Sequence, residues 1–204
     1  MKKTIVTIAL VLLCAGIWAQ SEPKGIQPQM VQAAFYTPTY QCFYLKGSDE
    51  LKLAYTPNSW CTYETAITKD TITYDGIAGK YKNLNVIRIK SNTKKAKQQV
   101  VLYIDNITVK NGKGETVLFL DFEDGDAAGP YFSQGKPLDT NGTVVEKDGR
   151  KCFLLNMNSQ SLYGYSGVEV QWTLPENEGK DGPTWDMSAG DYSVKYDYYI
   201  AVAN

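Results

Sequence analysis

From Ala33 onward the chain is a series of short runs rich in Val, Ile, Thr and Tyr, separated by clusters of Gly, Asn, Asp and Lys. No long segment repeats its apolar residues at the helical period, so the pattern is that of strands and turns. Alternation is clearest near the end. Tyr192, Val194, Tyr196, Tyr198 and Ile200 fall on one face of an extended segment, and Ser193, Lys195, Asp197 and Tyr199 on the other. One apolar and one mostly wet face is the signature of an antiparallel sandwich. Strands are predicted near Ala33–Phe35, Gln41–Leu45, Leu51–Tyr55, Cys61–Ile67, Thr71–Tyr74, Asn85–Lys90, Gln99–Val109, Glu115–Phe122, Thr143–Glu146, Lys151–Asn156, Gly167–Leu174 and Asp191–Ala201. About a dozen strands in one chain of this size imply an all-β fold with two packed sheets. Asn111-Gly112-Lys113-Gly114 separates two of them and predicts a hairpin turn, because Gly and Asn tolerate positive φ.

The first residues read as a targeting segment. Lys2 and Lys3 precede an apolar run, Thr4 to Leu13, that is short for a membrane span, and Ala19 precedes the polar Gln20. This predicts a signal peptide over 1–19, cleaved after Ala19, and a secreted, periplasmic or surface location. A lipid anchor at Cys14 is the rival reading, against which stands Leu13 where a small residue is usual. Residues 20–32 read as a flexible leader and 33–204 as one domain. No second long apolar run suggests a membrane span. A formal net charge of -1 provides no field favouring nucleic acid.

The chain contains no histidine. Ser-His-Asp and Cys-His machinery and histidine-ligated metals are therefore excluded. Three cysteines follow the signal segment: Cys42, Cys61 and Cys152. A Cys42–Cys61 disulfide and three free thiols are both compatible with an exported chain, with Cys152 buried in an apolar run. Paired carboxylates for glycoside hydrolysis are not marked out by any spacing, so no enzyme is expected.

Two motifs carry a resemblance. Tyr103-Ile104-Asp105-Asn106-Ile107-Thr108-Val109 resembles the closing strand of jelly-roll carbohydrate-binding modules of the galactose-binding-like type. Leu120-Asp121-Phe122-Glu123-Asp124-Gly125 resembles their opening strand. The composition also resembles that of small secreted sugar-binding-like proteins of gut Bacteroidetes. In those modules the opening strand comes first, whereas here the closing motif does. That order fits a circularly permuted jelly roll, with the segment ending at Asn204 beside the one starting near Ala33, or two partial modules joined end to end. Permutation is favoured, since a half-sandwich would expose long strand edges, and Lys110 to Glu115 is too short for an inter-domain hinge.

The resemblance implies a structural calcium ion held by the closing aspartate and the opening glutamate, here Asp105 and Glu123, with Asp126 in the same acidic cluster. A simple hairpin register leaves Asp105 and Glu123 three residues out of step, roughly 10 Å. It also implies carbohydrate binding, in which aromatic rings stack on sugar faces while polar neighbours take the hydroxyls. Candidate platforms are Trp60, Tyr63, Tyr163, Tyr165 and Trp185, with Tyr163 and Tyr165 read as part of a loop. Trp172, between alternating valines, reads as core. The alternative function is a structural or adhesion protein that binds a protein partner through an exposed aromatic patch.

Overall fold

A computed structural model describes residues 22–37, 41–45, 56–75, 82–123, 131–134, 136–137, 143–162, 165–173, 184–188 and 190–203. Its strands are β1 (Met30–Tyr36), β2 (Cys42–Leu45), β3 (Trp60–Ala66), β4 (Ile72–Asp75), β5 (Val86–Thr93), β6 (Gln99–Lys110), β7 (Thr116–Leu120), β8 (Tyr131–Gln134), β9 (Lys136–Pro137), β10 (Thr143–Lys147), β11 (Arg150–Asn158), β12 (Gln160–Leu162), β13 (Tyr165–Thr173) and β14 (Ser193–Ile200). One 3-10 turn, Lys69–Thr71, precedes β4. The predicted strand Leu51–Tyr55 lies outside the described residues.

The strands form two antiparallel sheets. The first runs β12-β13-β5-β1-β2-β4, with β8 also on β13. The second runs β10-β11-β6-β14-β3. There β11 pairs with the first half of β6 and β7 with the second half. One apolar cluster lies between the sheets. It takes Phe35, Ile87, Ile89, Val170 and Trp172 from the first, and Leu102, Ile104, Phe153, Tyr196 and Ile200 from the second. The inward side chains of β14 are every second residue, as the alternation predicts, while Tyr199 on the opposite face is buried in a smaller cluster with Tyr103. The architecture is thus an all-β sandwich, and no described helix is long and apolar enough to cross a membrane.

The hairpin between β6 and β7 forms as predicted. Asn111 N donates to Glu115 O at 2.9 Å, and Gly114, at φ +79°, donates its N–H to Asn111 O. A register shift at Val109/Lys110 brings Ile107 opposite Leu120. That pairing ends at Leu120, and Phe122 beyond it takes positive φ, 58°.

Several expectations change. Residues 22–32 are built into the fold. Gly25 N donates to Ala201 O, Ala203 N donates to Gly25 O, and Ile26 N donates to Gln99 O. A Cβ on Gly25 would lie 2.6 Å from Gln99 O, so only glycine lets this segment lie so close to β6. The chain end therefore bridges this leader, through Gly25 and Val202, while β1 lies in the opposite sheet from β14. The expected pairing of the C-terminal segment with that near Ala33 does not occur. Cys42 and Cys61 are both free and lie in different sheets. Cys42 sits on the outer face of the first, and Cys61 packs against the central core from the second.

Candidate functional site

Trp185, expected as an exposed platform, is buried, and its neighbours in the chain reach the surface instead. The stretch Trp185-Asp186-Met187-Ser188 alternates in and out like a strand: Trp185 and Met187 are buried, Asp186 and Ser188 exposed. Trp185 is only 5% exposed, and its indole meets Phe35 edge-on at 5.8 Å. Its backbone exchanges two hydrogen bonds with Leu84, at 2.7 and 3.1 Å. Trp185 is thus an anchor rather than a platform, and it holds Asp186 and Ser188 at the surface.

Those two residues border an open depression of about 310 Å³, lined by Asn111, Lys113, Asp186, Ser188, Asp191 and Tyr192, with Gly112. Two loops build it. The β6–β7 turn is stiffened by Asn111, whose Oδ1 accepts from the N–H groups of Lys113 and Glu115, both at 3.0 Å. The loop before β14 is fixed by its buried anchors and by Ile67 N donating to Tyr192 O at 2.8 Å. Asp186 accepts from both the hydroxyl and the N–H of Ser188, and those bonds hold its carboxyl below the usual range. Lys82 approaches its other oxygen at 3.8 Å. Burial raises the Tyr192 phenol above its ordinary value, and the charges of Asp191 and Asp186 add to this. The half-buried tyrosine thus shares its surroundings with two carboxylates, an amine and a hydroxyl.

The other predicted platforms lie elsewhere. Tyr63, 8% exposed, points inward and packs on Tyr196 at 5.2 Å. Tyr163 lies outside the described residues, and Tyr165, expected in a loop, is the first residue of β13, paired with Leu162. Trp60 is half-buried on the outer face of the second sheet. Arg150 stacks over its ring at 4.3 Å, and Tyr199 meets it edge-on at 5.7 Å. That indole is therefore already packed by protein side chains.

Asp105 stands beside this aromatic group. It is 2% exposed and accepts from Asn106 N at 2.7 Å, while Arg150 approaches it at 3.5 Å. Burial raises its carboxyl above the ordinary value, against the pull of the Asn106 N–H and Arg150. Glu123 is exposed, and its backbone oxygen accepts from Lys151. Asp126 lies outside the described residues. Among the described residues no three His, Cys, Asp or Glu side chains are grouped as a metal site.

A second polar cluster covers the outer face of the first sheet. Arg88 pairs with Glu169 at 2.8 Å, donates to Gln171 at 3.0 and 2.6 Å, and lies 4.0 Å over Tyr36. Lys90 lies 3.9 Å over Tyr44. These cations are buried and directed at protein groups, which is how a buried charge is kept satisfied. Among the described residues the one exposed large apolar side chain is Phe119, at 54%. Compared with known proteins, the chain matches no family model, no curated protein and no solved structure.

Proposed function

We propose that this protein binds carbohydrate without transforming it, and that the sugar sits in the depression between the β6–β7 turn and the loop before β14. One observation carries the reading. Half-buried Tyr192, which also packs against the central core, lines the same hollow as Asp186, Ser188, Asp191 and Lys113. A sugar needs that mixture: an apolar ring for its C–H face, carboxylates to accept from its hydroxyls, and an amine to donate to them. The volume is at the lower end of what small-ligand sites use, and fits a short glycan segment. The Asn111 hydrogen bonds in one loop and the buried Trp185 and Met187 under the other reduce the ordering cost of binding.

The test is a glycan-array screen of the chain from Gln20 onward, beside Tyr192→Ala and Asp186→Ala variants. Selective binding that both substitutions reduce at least tenfold, with melting temperature unchanged, supports the reading. Silence across plant, host and microbial glycans overturns it. The adhesion alternative needs an aromatic patch, and Phe119 stands alone among the described residues as an exposed large apolar group.

A further inference from the structure

We infer that the β5–β6 turn is a docking surface for an anionic phospholipid membrane, with Lys94, Lys95 and Lys97 as its contact residues. The inference is independent of the carbohydrate reading, because the depression lies at the other end of β6. That strand runs from Gln99 to Lys110, about 35 Å at the usual rise per residue.

Lys94, Lys95 and Lys97 are all exposed. Exposed Lys24 adjoins them, since Ile26 N donates to Gln99 O at 2.8 Å. Among the described residues none of these four lysines forms an ion pair, so their charge is not neutralised within the fold. The turn that carries them is braced by neutral groups. Lys95 O accepts from Thr93 Oγ1 at 2.9 Å and from Ser159 Oγ at 3.1 Å. Lys97 N donates to Ser159 O at 2.7 Å, and Gln98 N to Ser159 Oγ at 3.1 Å. Ser159, 2% exposed, is thus a fixed post beneath a comb of cations.

Two observations separate this turn from an ordinary solvated one. Lys97 sits at φ +65°, a conformation that Gly or Asn adopts at lower cost. What lysine supplies there in exchange is charge. Lysines also guard sheet edges against pairing with other chains, but this turn joins two interior strands. β5 lies between β13 and β1, and β6 between β11 and β14. The shape then selects the partner. The cations project from a hairpin tip, which suits a flat surface of phosphate headgroups. The residues around them, Thr93, Ala96, Gln98 and Ser159, offer no ring to stack on a base or a sugar.

The experiment is cosedimentation of the chain from Gln20 onward with vesicles of phosphatidylglycerol and phosphatidylcholine in equal parts, beside vesicles of phosphatidylcholine alone. Wild type is expected to bind the anionic vesicles at about 0.1 M salt and to release them at about 1 M, as the Debye length falls from about 10 Å to about 3 Å. It should leave the neutral vesicles unbound. Each lysine near such a surface contributes about fivefold, so changing Lys94, Lys95 and Lys97 together to Gln should weaken binding on the order of a hundredfold. Lys97→Gly should weaken it about fivefold while holding or raising the melting temperature. Lys110→Gln, the same charge change at the far end of β6, should leave binding within about twofold. A fall in melting temperature in Lys97→Gly with vesicle binding unchanged would make this lysine structural and overturn its role. Equal binding of both vesicle types, or a triple variant that binds as wild type does, overturns the docking surface. Binding to dextran sulfate without binding to the vesicles overturns the membrane as partner. None of these outcomes bears on the depression at the other end of β6.

Discussion

Asp105 on β6 and Asp197 on β14 stand directly opposite each other, and one guanidinium, Arg150, lies 3.5 Å from the first and 3.3 Å from the second. Like charges facing across a ladder oppose pairing. A bulge at this point eases the geometry: Asn106 takes positive φ, 51°, and the register shifts between Lys195 and Asp197. Asn106 Nδ2 then donates to both carboxylates, and Thr62 Oγ1 donates to Asp197 at 2.6 Å. Trp60 and Arg150 are thereby tied into a structural cluster.

Removing the shared cation should expose the opposition. Arg150→Ala is expected to destabilise the fold by about 1–3 kcal/mol, less than for a fully buried pair because Arg150 is 36% exposed. Urea unfolding checks this, and adding Asp105→Asn to the variant should recover part of the loss.

The same pair fixes a sign for pH dependence. Burial raises the Asp105 carboxyl above 3.8, so the folded state holds this proton more tightly than the unfolded chain. Its contribution to stability therefore falls as pH rises from the unfolded value through the folded one, and acid relieves it. Arg150→Ala removes an influence that lowers the folded value. The difference in urea midpoint between wild type and variant should narrow as the pH is lowered toward the ordinary aspartate range. A gap that widens on acidification would contradict the assignment.

Arg150 occupies the place between these carboxylates that a bound cation would take. Calcium placed between Asp105 and Asp197 would compete with this guanidinium. Millimolar calcium added to chelator-treated protein is expected to leave the melting temperature unchanged, since only a ligand that binds the native state raises it. A rise that Asp105→Ala abolishes would show calcium held at Asp105.

Trp185 offers a test of the anchor beneath the proposed site. Trp185→Ala is expected to cost about 3–5 kcal/mol, as for other large buried aromatics. Thermal or urea unfolding measures it. A loss within a few tenths of a kcal/mol would mean that the indole does not hold the loop.

The thiols should differ in reactivity. Cys42 and Cys152 are buried, which pushes Cys152 up to about 12 and raises Cys42, whereas Cys61 is half-buried. In native protein a thiol reagent should modify Cys61 first and the others only on unfolding, and reductant should leave the melting temperature unchanged.

The sequence by itself determined the layered all-β form, because side-chain direction in a strand follows from alternation alone. Tyr192 to Ile200 announced the buried face of β14, and Asn111 to Gly114 announced the hairpin, since both are local properties. The strands β8 and β9 and the short β12 carried too little pattern to be predicted. The alternation of Trp185, Asp186, Met187 and Ser188 was also legible, and would have separated anchor from surface residue had the segment been read as extended rather than as loop. What only the tertiary structure decided was which residues meet. Asp105 and Asp197 are 92 positions apart yet face one another, Cys42 and Cys61 are near in sequence yet in different sheets, and the Gly112 turn meets the Asp191 side chain. Such meetings depend on strand order, and strand order is set by how apolar faces pack across a sandwich, which no local run encodes.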